Sequence, residues 1–321
     1  MTTRYTGFLE SGKKNNDTGR VGICSLGRGR QWLVVDCGVT FGRAQQPGIE
    51  LIMADPGFLE EQGERIVGLV LTHAHEDHYG AVLDLWPAFD KPVYATQFCA
   101  AMLKAKRAME GIVQSVDIRI INPGDPFAVG PFTIEAISVA HSIPQSCSLF
   151  ISTAIGAVVH TGDWKLDNDP VSGPPTDVER FKSIGDEDKP LALVCDSTNA
   201  LKEGTSPSER DIAKNLDRLV SEAPQRVAVT IFASNMGRLI SIARAAKKAG
   251  RQVVLSGRSL HRIATIGREL GLLDGIEPFL DHDAFKHLPR KKVLLLCTGS
   301  QGEPRAAIAR ISRDAHPAIS L

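Results

Sequence analysis

An apolar run ending at Leu71 passes directly into Thr72-His73-Ala74-His75-Glu76-Asp77-His78, which sets three imidazoles and two carboxyl groups within six positions. No other stretch restricts the fold so tightly. Ionisable side chains crowded at the end of a buried strand are costly to desolvate unless a cation satisfies them. In extended backbone His73 and His75 project to the same side and can meet one ion. A tight turn after them would bring Asp77 and His78 alongside, in position for a second. Nitrogen and carboxylate donors without thiolates suit Zn²⁺ at a catalytic site, with Mn²⁺ as the alternative.

One segment cannot close two coordination spheres, so the other ligands must come from other strand ends. His141 follows the alternating run 132–140 and precedes Ser142-Ile143-Pro144. Asp163 follows Val158-Val159-His160-Thr161-Gly162, and its two carboxylate oxygens could bridge two cations. Asp36 closes the run Trp32-Leu33-Val34-Val35; it fits outside the ligand set, fixing a histidine's tautomer or orienting the loop. Singly these residues are ambiguous. A histidine after a strand is ordinarily a turn or surface residue, Gly-Asp is a common turn, and His160 inside its apolar strand reads as a packed neighbour.

The rest of the chain bounds the architecture. Its 321 residues predict two domains, each with a core of ordinary size. With 43% apolar and 23% charged residues, disordered and fibrous architectures are excluded. A formal net charge of zero gives no net attraction to nucleic acid and leaves that task to a local basic groove. No run approaches ~18 apolar residues and no basic-then-apolar leader opens the chain, so a soluble cytoplasmic protein without a membrane partner is expected. The six cysteines are scattered without a C-x-x-C, which predicts buried reduced thiols.

Residues 1–30 read poorly as structure: 13–19 is turn-like, and Gly22, Gly27 and Gly29 would interrupt a core strand. Short strands are expected at 31–36, 66–71, 92–95, 116–121, 132–137, 148–152 and 157–160, with helices at 79–86 and 95–107. Pro123-Gly124-Asp125 and Gly130-Pro131 suggest hairpin connections. This is the pattern of a sheet sandwich with helices on its outer faces. Beyond about 190 the rhythm changes. Strands at 191–195, 226–232, 252–255 and 292–297 alternate with helices at 208–223, 237–249, 259–270 and 304–313, as in a mostly parallel αβα layer. Ser208 and Ser259 are the expected helix starts. The boundary falls between 175 and 205, giving domains of 1–200 and 201–321. Residues 316–321 read as a loop entering a new strand, so the sequence looks interrupted.

These segments resemble the metallo-β-lactamase superfamily through Asp36, His73-x-His75-x-Asp77-His78, His141 and Asp163. Within it the chain is similar to the β-CASP nucleases, most closely the bacterial ribonuclease J family. That narrower resemblance rests on Asp36-Cys37-Gly38-Val39-Thr40-Phe41-Gly42, His141-Ser142-Ile143-Pro144 and His160-Thr161-Gly162-Asp163-Trp164-Lys165. Asp196-Ser197-Thr198-Asn199, Phe232-Ala233-Ser234-Asn235 and Thr298-Gly299-Ser300-Gln301-Gly302-Glu303-Pro304 add to it.

The resemblance implies an α/β chain: a metallo-β-lactamase αββα sandwich with a partial β-CASP αβα domain. It implies two Zn²⁺ ions, one held by His73, His75 and His141, the other by Asp77 and His78, with Asp163 bridging. Asp77, Asp163 and Asp196 would be the catalytic carboxylates, Asp196 matching the first acidic β-CASP motif. Without that comparison, Asp196 could simply cap the next turn. Family members are 5'-to-3' exoribonucleases on single-stranded RNA, often with endonuclease activity, leaving 5'-phosphates. They commonly form homodimers and can join RNA-decay complexes. Ser234, Asn235, Ser300 and Gln301 would be RNA contacts, while Lys247-Lys248 and Arg290-Lys291-Lys292 read first as solvated surface. Water is the expected nucleophile, since no Ser or Cys sits in a triad setting.

The chain also departs from the family pattern. A C-terminal histidine ligand of the second ion, a Gly-flanked histidine segment and the returning strands of the lactamase-like domain are not in the sequence, so weak occupancy of the second site and impaired activity are expected. Gly237 stands where the family often has a histidine, and 19–29 matches the family's opening poorly. Two other readings remain: a lactamase-fold hydrolase of esters, thioesters or lactams, and a noncatalytic RNA-binding fragment.

Overall fold

The computed structural model describes residues 5–6, 24–28, 31–42, 46–303 and 305–319, the first two segments as backbone alone. The chain divides into two units. The first comprises Met1–His141, Gln145–Leu166 and Thr176–Lys202, and the second Ser142–Pro144, Asp167–Pro175 and Glu203–Leu321.

Two sheets face each other in the first unit. One orders Tyr5–Thr6, Cys24–Arg28, Gln31–Val35, Ile66–Val70, Val93–Ala95 and Ile118–Ile120, the last four running parallel. The other orders Ala192–Val194, Gly156–His160, Cys147–Thr153, Phe132–Ser138 and Phe127–Val129. Alternate side chains point to one face of a strand, so Phe132, Ile134, Ala136, Cys147, Leu149 and Ile151 meet Leu33, Val35, Val70 and Tyr94 in one core. The intervening residues Ile137, Phe150 and Val159 face outward and are covered by Phe181 and Ile184. Helix Gln97–Glu110 lies on strands Val93–Ala95 and Ile118–Ile120, burying Phe98, Cys99, Met102, Leu103 and Lys106. This is the αββα sandwich. Its strands Gln31–Val35 and Ile66–Val70 end at the same edge, which brings Asp36 and the residues after Val70 together.

The second unit centres on three parallel strands, with Val293–Cys297 between Val227–Thr230 and Gln252–Ser256. Helices Glu209–Glu222, Met236–Lys248 and Arg258–Glu269 alternate with them. Ser208 accepts from Arg210 N at the first helix start.

Local expectations failed where backbone pairing overrides side-chain pattern. Cys24–Arg28 is a strand with Gly27 inside it, because a ladder needs N–H and C=O groups rather than a side chain. All of 13–19, and Gly22 and Gly29, lie outside the described residues. The helix expected at 79–86 is split into Glu76–Tyr79 and Val82–Leu85, since Ala81 N leaves the helical pattern to donate to Cys37 O. Gly130-Pro131 does close a hairpin, but the turn at 123–125 connects different sheets. The helix expected at Ser259 is capped instead by Gly257, at φ 131°. Strands Val39–Phe41 and Leu51–Met53 had no visible sequence signal, as Phe41 and Leu51 are exposed. Residues 316–319 form a loop whose Ile319 is buried. Four thiols, Cys37, Cys99, Cys147 and Cys297, are buried and free, while Cys195 is free and exposed. Among the described residues no helix is long and apolar enough to cross a membrane.

Candidate metal centre

Strand Ile66–Val70 ends in an extended segment through His75, and the one-turn helix Glu76–Tyr79 then reverses the chain. His73 and His75 therefore project together, with Asp77 and His78 on the following turn. His141 arrives after Phe132–Ser138, and Asp163 after Gly156–His160. Gly162, at φ 55°, makes the turn that Asp163 needs.

The structure brings all six ligand candidates together. One potential ligand atom from each of His73, His75, His141 and Asp163 lies within 4.8 Å of the others, and the same holds for Asp77, His78 and Asp163. Asp163 belongs to both groups. His73 Nε2 is 3.0 Å from His75 Nδ1, which is 3.1 Å from His141 Nε2. Two nitrogens bound to one tetrahedral Zn²⁺ at ~2.0–2.1 Å stand about 3.3 Å apart, so the spacing and donor chemistry fit a divalent ion.

Asp36 sets the ring orientations. Its Oδ1 accepts from Thr72 N at 2.8 Å, and its Oδ2 accepts from Thr72 Oγ1 at 2.8 Å and His78 Nδ1 at 2.7 Å. A carboxylate only accepts, so Thr72 gives its hydroxyl hydrogen to Asp36 and can accept from His73 Nδ1, 3.0 Å away. His73 and His78 thus each carry a hydrogen on Nδ1 and turn Nε2 toward the cluster. Asp36 itself sits at φ 60°, a conformation aspartate tolerates better than most residues. Thr72 was missed in the sequence, where a hydroxyl next to a histidine is unremarkable.

Burial, then the neighbouring imidazoles, hold His73 and His75 well below the usual histidine value. Burial brings His141 down to about 4, although Asp163 opposes it. His78 differs: burial works against its charge, but Asp36, Asp163 and Asp77 outweigh it and hold its pKa well above 6.5. Burial would raise Asp163, but His78 and the other imidazoles bring it down to about 2. Burial raises Asp77, with His78 opposing. His160 is buried and accepts from Gly162 N at 3.2 Å, outside both ligand groups.

Asp196 adjoins the centre. Its N–H donates to Thr161 Oγ1 at 2.9 Å, its charge acts on His141, and its Oδ1 caps Thr198 N at 2.9 Å. In the second unit, Ser234-Asn235 and Ser300-Gln301 follow the ends of neighbouring parallel strands and so share one sheet edge. Asn235 Oδ1 accepts from Arg238 N at 2.8 Å, capping helix Met236–Lys248, and Gln301 N donates to Glu303 Oε2 at 3.0 Å. Lys247 and Lys248 pair with Glu277 and Asp217, as solvated surface residues do.

A model of the β-lactamase superfamily domain matches residues 31–173, and one of the ribonuclease J β-CASP domain matches 224–321. Ribonuclease J of Sinorhizobium meliloti is 50% identical over 309 residues, covering 96% of this chain and 55% of that protein. Ribonuclease J of Corynebacterium glutamicum is 40% identical over 309 residues, covering 94% of this chain and 43% of that protein. The crystal structure of a protein of unknown function from Enterococcus faecalis V583 shares the fold at a TM-score of 0.59 and 17% identity, over 86% of this chain and 73% of that one. Fold and site together define a metallo-β-lactamase-fold chain, a class implying metal ions, that continues into a β-CASP segment. Over nearly all of its own length it is similar to the ribonuclease J proteins. The chain spans about half the length of the curated relatives it matches.

Proposed function

We propose that this chain carries the metal centre of a ribonuclease that hydrolyses phosphodiester bonds in single-stranded RNA. The observation that carries this is Asp163, shared between a three-histidine group and an Asp77–His78 group. His73, His75 and His141 would hold one ion and Asp77 and His78 the other, with Asp163 joining them. Zn²⁺ suits these donors and Mn²⁺ is the alternative. Bound cations would neutralise phosphate charge and lower the pKa of an attacking water. Asp36, with Thr72, orients His73 and His78. Asp77 and Asp163 are the carboxylates in direct reach of the ions, and Asp196 anchors the 161–163 turn beside them.

The 3'-oxygen leaves, giving 5'-phosphate products in a 5'-to-3' direction, with endonuclease cleavage as a second mode. The organisation we adopt is a lactamase-like domain over 1–200 and a β-CASP segment over 201–321. Asn235 and Ser234, at a helix start whose dipole favours anions, and Ser300 and Gln301 are our candidates for backbone-phosphate contact. The whole protein is proposed to act in the cytoplasm, as a homodimer or within an RNA-decay complex.

The test is cleavage of 5'-monophosphorylated single-stranded RNA by the purified chain with Zn²⁺ or Mn²⁺. 5'-phosphate products that disappear with chelator and in His73→Ala support the reading. Cleavage that survives both overturns it, as does turnover of ester, thioester or lactam substrates alone.

A further inference from the structure

The helix carrying Asp77 and His78 has one turn, Glu76–Tyr79. A single turn has no appreciable stability of its own, because nucleation fixes several residues for one hydrogen bond. Its shape, and with it the aim of two candidate ligands, must be imposed from outside. On one side Cys37 N donates to His78 O at 2.6 Å and Ala81 N to Cys37 O at 2.9 Å. The other side is held by a residue distant in sequence and assigned no role so far.

Lys106 projects from helix Gln97–Glu110 and is only 7% exposed. Its Nζ donates to Glu76 Oε2 at 3.1 Å and to Gly80 O at 2.6 Å. These groups belong to the first residue of the turn and to the residue that caps its end. Glu76 Oε1 accepts from Tyr79 OH at 3.1 Å, and the Tyr79 ring lies 5.6 Å from the Lys106 ammonium. Glu110 Oε1, at 4.0 Å, gives Nζ a looser third neighbour. A buried ammonium is retained at a desolvation cost that only well-placed acceptors offset. Here those acceptors bracket the metal-binding turn.

We infer that Lys106 is a positioning residue for the second metal site: it clamps both ends of the Glu76–Tyr79 turn, so that Asp77 and His78 face Asp163 before an ion arrives. The inference rests on the two-ion reading proposed above. Lys106 touches neither ion nor substrate. Its loss leaves the His73–His75–His141 group intact and loosens the Asp77–His78–Asp163 group.

The experiment titrates the intact chain with Co²⁺, followed by visible absorption and by calorimetry, in wild type, Lys106→Met, Glu76→Gln and Lys104→Met. Lys104 lies on the same helix with its side chain exposed, so it controls for the lost charge. The first equivalent should bind all four proteins alike. The second should weaken about 10–100-fold in Lys106→Met, as on removing a ligand's supporting group. It should weaken less in Glu76→Gln, which leaves the Gly80 contact, and be unchanged in Lys104→Met. Glu76→Gln also serves if Lys106→Met does not fold, since weakening confined to its second site supports the clamp. Lys106→Met binding both equivalents like wild type overturns the inference, as does equal weakening of both sites in step with a lowered melting temperature. If Lys106→Met does not fold, a Glu76→Gln titration identical to wild type overturns it as well. A wild type that takes up fewer than two ions instead sinks the two-ion reading itself, and this inference with it.

Discussion

His78 donates its Nδ1 hydrogen to Asp36 Oδ2 across 2.7 Å, although 42 positions separate the two residues. The bond leaves Nε2 facing Asp163 Oδ1 at 3.3 Å. Asp36→Asn keeps the shape but can present an N–H where an acceptor stood, disfavouring the Nδ1–H tautomer. The variant should bind the second equivalent of Zn²⁺ or Co²⁺ about 10–100-fold more weakly. Metal content after dialysis against graded chelator checks this, and wild-type retention would contradict it.

Thr72 passes the influence of Asp36 on to His73. Thr72→Val preserves the branched shape and removes the hydroxyl that sits 2.8 Å from Asp36 Oδ2 and 3.0 Å from His73 Nδ1. The first equivalent should weaken by about tenfold, the low end for loss of a ligand's hydrogen-bond partner. The second should be affected less, because His78 reaches Asp36 directly. A site-resolved Co²⁺ titration distinguishes the two effects.

Ion uptake should also release protons unequally. His73, His75 and His141 are held below the usual histidine value, so at pH 7 they offer free lone pairs. His78 is held well above it, and Nε2 must lose a hydrogen before it can bind a cation. Calorimetric titrations in buffers of different ionisation enthalpy should show about one proton released from His78 with the second equivalent and none from the three histidines with the first. Equal release in both steps would refute the assignment.

The candidate ligands could be picked out in the sequence because each follows a strand, and strand ends fall at one edge of a layer. The one-turn helix was not. Apolar residues from Tyr79 to Trp86 suggest continuous helix, whereas the break at Gly80-Ala81 exists for a bond to Cys37, 44 positions earlier. Lys106 was equally hidden. It stands near Lys104 and Arg107 in a helix that pattern alone turns partly to solvent, and only the fold shows which of the three cations is buried. Asp36 was placed beside the site by its position after a strand, but its link to His73 through Thr72 required coordinates.

The loop after Asp36 also fixes a glycine. A Cβ on Gly38 would lie 1.7 Å from Asp77 O and 2.7 Å from Asp77 Cα, closer than atoms can approach. The obstruction is backbone, so no rotamer change relieves it. Gly38→Ala should destabilise the chain by about 3 kcal/mol or more, the upper range for forced overpacking, and weaken the second metal site through Asp77. Gly185→Ala, with nothing within 4 Å of its Cβ, is the control and should change stability little. Urea unfolding of both variants without metal gives the comparison.

Acid should unfold the metal-free chain by way of the same histidines. A histidine whose folded value is lowered binds its proton more readily unfolded, so stability falls as pH drops below about 6.5 and continues to fall down to the folded value. His73, His75, His141 and His160 all act in this direction, His141 over the window from 6.5 to about 4. His78 has the opposite sign, but its contribution is complete below 6.5 and adds no slope there. Asp163 adds a further loss as pH falls from 3.8 toward 2; Asp77, raised by burial, has the opposite sign, but its gain is complete by 3.8 and adds no slope below it. The melting temperature of the chelated protein should therefore fall steadily from pH 6.5 to 4.5. His141→Gln should flatten that slope, because it removes one imidazole forced to stay neutral. A wild-type melting temperature constant over this interval, or an unchanged slope in His141→Gln, would show that these side chains are not desolvated together as described.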